Sequence, residues 1–249
     1  MEYINTIDLN QQLHLELEYL KKYLKHLNNN INVHNSLMNS YLNEDLEEFG
    51  RLNELEMRAI YKDDLLKIPS YSYHSSYLLI FSLLESTLQK IGKLLQTELN
   101  LPIKLEDLRG TNYLSTSIQY IRSVIPMTQV LIDKGNDFIP YQIIRNLIVH
   151  NGSIMPVSSK NKHKLLFVQF ITYDLDGSFY IKDIEFLDRF LSKVETFIFD
   201  CLTLIESPEV IPVIITPCKV IRYYTQEDYD NKYNPVIKPD LWFDGDLPF

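Results

Sequence analysis

The sequence of 249 residues holds one alanine, one tryptophan, two cysteines and seven glycines. Cys201 and Cys218 are too few for a disulfide framework or a thiolate zinc site, and they read as reduced thiols. So few glycines argue against a dinucleotide-binding fold, and neither a Gly-rich phosphate loop nor a Gly-x-Ser-x-Gly elbow occurs. No apolar run approaches the ~18–20 residues that a membrane span needs. The opening MEYINTIDLN has neither a basic nor an apolar stretch, so no secretory leader is expected. A cytoplasmic protein without a membrane partner is the expectation. Positive charge is also short: 24 Lys and Arg stand against 33 Asp and Glu, a net charge of -9. That excludes a generally basic nucleic-acid coat protein but leaves room for a local basic site. What is present suffices for a core, since 45% of residues are hydrophobic and 23% charged. The length suits one large domain, or one domain with an appendage.

The pattern is helical for two-thirds of the chain. Leu13, Leu17, Leu20, Leu24 and Leu27 recur at three- and four-residue spacing, as on an amphipathic helix. Asp8 is the expected N-cap, and Asn28-Asn29-Asn30 the expected break. A second helix is expected over about 33–67, with a break near Gly50 and an end at Pro69. The segment from Tyr77 to Leu95 is apolar over most of its circumference, which suits the centre of a bundle. Residues 112–134 predict short helices interrupted at Pro126. Pro140 suits the first turn of a further helix, and Asn151-Gly152 its C-terminal cap. After residue 160 the period changes: branched and aromatic residues over 165–182, around Asp176-Gly177, predict a β-hairpin. A last helix is expected over about 184–206, buried through Phe186, Leu187, Phe190, Leu191, Val194, Phe197, Ile198, Cys201, Leu202 and Ile205. The prediction is therefore a mainly α domain over 1–206 with the hairpin set before its last helix. A proline-rich C-terminal arm follows over 207–249, holding six of the chain's eleven prolines as well as Trp242 and Phe243. Short edge strands or an extended arm both fit its pattern.

The segment with the most chemical content is Arg145-Asn146-Leu147-Ile148-Val149-His150-Asn151-Gly152. Asn146 and His150 are four apart and share a helix face. Arg145 lies about 140° round from His150 on an ideal helix, within reach of a long side chain that bends back. A planar, permanently charged guanidinium suits a phosphate. A titratable imidazole suits proton transfer near neutrality. The bland alternative is a surface His at a helix end and an Arg that packs its stem and pairs with a carboxylate.

These eight residues resemble the signature of the HEPN superfamily, in which an Arg, a polar residue, a few variable positions and a His lie near a helix end. The likeness covers roughly residues 70–155. It implies a HEPN-like helical bundle, a metal-independent endoribonuclease without cofactor, and a homodimer in which two copies of the motif meet. It implies Arg145, Asn146 and His150 as the catalytic residues, and a bacterial toxin or phage-defence setting with an antitoxin or regulatory partner. The HEPN toxins whose Tyr is modified by their antitoxin carry it two positions after the His. Gly152 stands there, which speaks against that mechanism.

Around the motif, Glu85 sits in the apolar helix, where a carboxylate is costly unless paired. It either orients Arg145 or reaches solvent at the edge of the stripe. Asn151 would support the site from the cap. Lys160, Lys162 and Lys164, with His163, form a basic cluster that either guides RNA or lies on a solvated loop. Tyr71, Tyr73 and Tyr77 either stack bases or pack the core. The histidines at 14, 26, 34, 74 and 163 show no metal-ligand spacing. The function expected from all of this is RNA cleavage through the 2′-hydroxyl. Its rival is a non-catalytic dimerisation or interaction protein that binds a partner through its tail.

Overall fold

The computed structural model describes residues 6–49, 54–102, 104–107, 113–125, 127–154, 170–173 and 177–206, all within one unit, Met1–Val213. Helix accounts for 85% of them. The arm over 207–249, with Cys218, Trp242 and Phe243, lies outside the described residues, as do Lys160, Lys162, His163 and Lys164.

Helix α1 runs Ile7–Phe49, α2 Glu54–Lys62 and α3 Ile68–Glu98. A 3-10 turn, Leu105–Asp107, precedes α4 (Tyr113–Val124), α5 (Gln129–Asn136) and α6 (Ile139–Asn151). Strands β1 (Ile171–Tyr173) and β2 (Phe179–Ile181) pair antiparallel with Thr172 opposite Tyr180, and α7 spans Ile184–Glu206. The centre is α3, which packs against α1, α4, α6, α7 and β2. Its Tyr77, Ile80, Leu84, Leu88, Ile91 and Leu95 are wholly buried. All ten residues of the expected stripe on α7 are buried too. Thr6 Oγ1 donates to the Glu206 carboxylate, joining the start of α1 to the end of α7.

Three sequence expectations are corrected. Asn28-Asn29-Asn30 does not break α1, which continues as one helix of 43 residues. Leu24 and Ile31, two turns apart, are both buried on its inner face, and that burial outweighs the modest helix penalty of three asparagines. Asp8 is not the cap but lies inside the first turn. Pro69 does not end the helix before it. Instead α2 widens into a π-helical turn, Asp63–Lys67, and the chain runs on into α3 with Pro69 in its first turn. In that turn the Ile68 N–H donates to Asp63 O, five residues back. The next such bond would take the N–H of residue 69 to Asp64 O, and proline has none. His34 Nε2 on α1 donates to Asp64 O instead, at 2.9 Å. A histidine without metal-ligand spacing thus repairs the proline's missing bond.

Candidate functional site

Helix α6 carries the Arg-Asn-His segment, and the core holds it at both ends. At its start, Tyr141 stacks on Phe190 with ring centroids 4.4 Å apart and on Phe186 at 5.9 Å. The buried Tyr77 hydroxyl donates to Tyr141 O, and Phe138 packs against Phe190 and Phe197. Pro140 lies in the first turn, as its missing N–H predicts. Ile144 and Leu147 face the core. At its end, Gly152 takes the left-handed conformation, φ 57 and ψ 33, and its N–H donates to Leu147 O. Ser153, also left-handed at φ 67, donates its N–H to the same carbonyl at 3.0 Å.

Anchored in this way, α6 turns Asn146, Val149 and His150 outward, all exposed, and leaves Arg145 half-buried. Arg145 Nη1 donates to Asn146 Oδ1 at 3.2 Å, so the guanidinium bends toward the face that Asn146 shares with His150. The His150 side chain makes no hydrogen bond among the described residues and is open to solvent. Asn151 is exposed, and its carbonyl accepts the N–H of Ile154 at 3.0 Å. Val149 and Ile154, each 47% exposed, give this end of the helix an apolar surface beside the polar one.

Glu85 is half-buried on α3, the helix against which α6 packs. Burial raises the pKa of its carboxyl from the ordinary value, and the charge of Arg145 opposes that rise. The two form no ion pair, so Glu85 acts on Arg145 through the field between them and not through a hydrogen bond. Tyr73 and Tyr77 are core residues and cannot offer a face to a base, whereas Tyr71 is 60% exposed. Cys201 is a buried free thiol whose pKa burial pushes up to about 12, which makes it a poor nucleophile. Among the described residues, no group of three His, Cys, Asp or Glu is placed to hold a metal ion. No helix among them is long and apolar enough to cross a membrane.

No family model, no curated protein and no solved structure matches the chain.

Sequence reading missed one cluster beside the motif. His74 on α3 is 4% exposed and lies between two serine hydroxyls. Ser70 Oγ is 3.2 Å from Nε2, and Ser153 Oγ is 3.0 Å from Nδ1. Burial lowers the pKa of the imidazole to about 4, so it is neutral at physiological pH. The available signal was the Ser70–His74 spacing of four on the buried face of an apolar helix.

Proposed function

We propose that this chain is a metal-independent endoribonuclease of the HEPN type, active as a homodimer and serving as a toxin or phage-defence effector. The observation that carries the reading is the hydrogen bond from Arg145 to Asn146, which brings a guanidinium onto the same exposed face as His150. In this mechanism His150 takes the proton of the 2′-hydroxyl. The freed oxygen attacks the adjacent phosphorus, and the 5′-oxygen of the next nucleotide leaves. Arg145 stabilises the charge that builds on the phosphorane oxygens, where a two-pronged donor outperforms a point charge. Asn146 holds the guanidinium in place. A second copy of His150, brought across a dimer axis, protonates the leaving oxygen. The exposed Val149 and Ile154 support such a contact, because an apolar surface beside a polar cluster suits a protein interface.

The test is cleavage of a mixed single-stranded RNA by the full chain. Activity is expected to survive EDTA and to leave 2′,3′-cyclic phosphate ends. His150→Ala is expected to cost about 10²–10⁴-fold, the usual worth of general acid–base catalysis. Arg145→Lys is expected to be damaging as well, and Asn146→Ala less so. Loss of activity on chelation, or equal cutting of a strand with 2′-deoxy at the scission site, overturns the roles given to Arg145 and His150. The same apolar patch also fits the rival, a dimerisation or interaction protein with no chemistry. A dimer by light scattering that cleaves no RNA selects that rival.

A further inference from the structure

We infer that His74 is the positioning residue of this site: it locks the left-handed turn after α6 and thereby fixes where His150 projects. The inference deepens the nuclease reading and names a residue outside the motif. Gly152 and Ser153 are consecutive residues with positive φ, 57 and 67. Glycine takes that region freely, but for a serine it is strained and needs outside support. Ser153 is buried at 8% exposure, and the contact that holds its side chain is the one from Oγ to His74 Nδ1.

The turn is then tied to two other elements. The Ser153 carbonyl accepts the Phe179 N–H at 2.9 Å, and Ile154 bridges to Ser178. On the far side of the imidazole, Ser70 Oγ meets Nε2 and also accepts the Ile181 N–H at 3.1 Å. One ring therefore fastens the end of α6, the start of α3 and strand β2 together. Phe179 packs on it with centroids 5.2 Å apart, and Tyr71 meets it edge-on at 6.4 Å. A neutral imidazole suits this place because one nitrogen donates while the other accepts, so both hydroxyls are served without burying a charge. His150 lies two residues before Gly152, in the last turn of the helix that this lock terminates. Without the lock the turn relaxes toward ordinary backbone, the last turn of α6 frays, and His150 loses its fixed direction.

The test compares His74→Phe, His74→Asn and Ser153→Ala in the full chain. Phe keeps an aromatic ring against Phe179 but drops both hydrogen bonds. Asn places a polar atom where Nδ1 stands. The first readout is hydrogen exchange at the Gly152, Ser153 and Phe179 amides, all bonded at this turn. Exchange there is expected to rise at least about tenfold in His74→Phe and Ser153→Ala, while α7 stays protected and His74→Asn stays near wild type. Unchanged exchange in His74→Phe overturns the inference whether or not the chain cleaves RNA. The second readout is RNA turnover. His74→Phe is expected to lower kcat about 10–100-fold at little change in KM, since misaiming an acid/base group costs rate and not affinity. His74→Asn is expected to restore most of that loss, and the effects of His74→Phe and Ser153→Ala are expected not to add. A His74→Phe enzyme with wild-type kcat, or additive effects of the two variants, also overturns it. Raised exchange in a protein whose wild type cleaves no RNA keeps the lock and removes the nuclease reading alone.

Discussion

The buried imidazole of His74 gives the fold a calculable dependence on pH. Its folded pKa is about 4, lowered by burial, against about 6.5 in an unfolded chain. Below pH 6.5 the unfolded chain therefore binds a proton that the folded protein refuses, and stability falls as the pH falls. The contribution is fully present above pH 6.5 and is lost progressively toward pH 4. Two and a half units correspond to roughly 3 kcal/mol in all, of which about 2 kcal/mol disappears between pH 7 and pH 5. The carboxyls of the half-buried Glu85 and the exposed Asp188 are both raised from their ordinary values and act in the opposite sense. The difference between wild type and a variant isolates the histidine. His74→Asn cannot titrate, so urea unfolding at pH 7 and pH 5 should show the wild type losing about 2 kcal/mol more than the variant. Parallel losses in the two proteins would mean that the imidazole is not held neutral and that the assigned contacts of His74 are wrong.

Three further outcomes are expected. His34→Ala should destabilise the fold by about 1–2 kcal/mol by leaving Asp64 O unpaired, and the same change in a Pro69→Ala background should cost clearly less, because the restored N–H serves that carbonyl. Equal costs in both backgrounds, read by chemical denaturation, would refute the repair role of His34. Glu85→Gln should stabilise the fold at pH 7, and that gain should shrink as the pH falls and the carboxyl takes up its proton. The sign follows from a raised folded pKa, whose cost appears as the pH climbs through it; thermal melts that show the gain undiminished at low pH would point to packing instead. Finally, the chain should run as a dimer in light scattering at micromolar concentration, and Val149→Lys should shift it to monomer by placing charge in the proposed contact. A wild-type monomer, or a dimer indifferent to Val149→Lys, counts against that contact.

Local signals carried much of this fold. The stripe on α7 repeats at helical spacing, so its ten inward residues and both ends are legible without tertiary knowledge. Pro140 and Gly152 bracket α6 because each is suited to one end of a helix. The failures share a different cause. Asn28-Asn29-Asn30 and Pro69 are local breakers overridden by partners remote in sequence: the core under Leu24 and Ile31, and His34 reaching the π turn. In the candidate site, Arg145, Asn146 and His150 could be picked out together because they lie within one and a half turns of helix. The contact between His74 and Ser153 spans 79 residues, and it depends on a serine with positive φ that no residue pattern announces.

The same division explains why the motif helix tolerates an open polar face. A helix of 13 residues is marginal on its own. Here Ile144 and Leu147 are buried, and Tyr141, Ile143 and Ile148 pack partly against the core. The ends add further direction. The stack of Tyr141 on Phe186 and Phe190 sets the start, and the turn locked by His74 sets the finish. With both ends held by other elements, the middle need not bury Asn146, Val149 or His150, and those positions are free to serve a ligand or a partner. Loosening the two ends should therefore have unlike consequences. Tyr141→Ala should remove core contacts and cost about 3–5 kcal/mol of global stability, whereas His74→Phe should act chiefly on the last turn, where His150 sits.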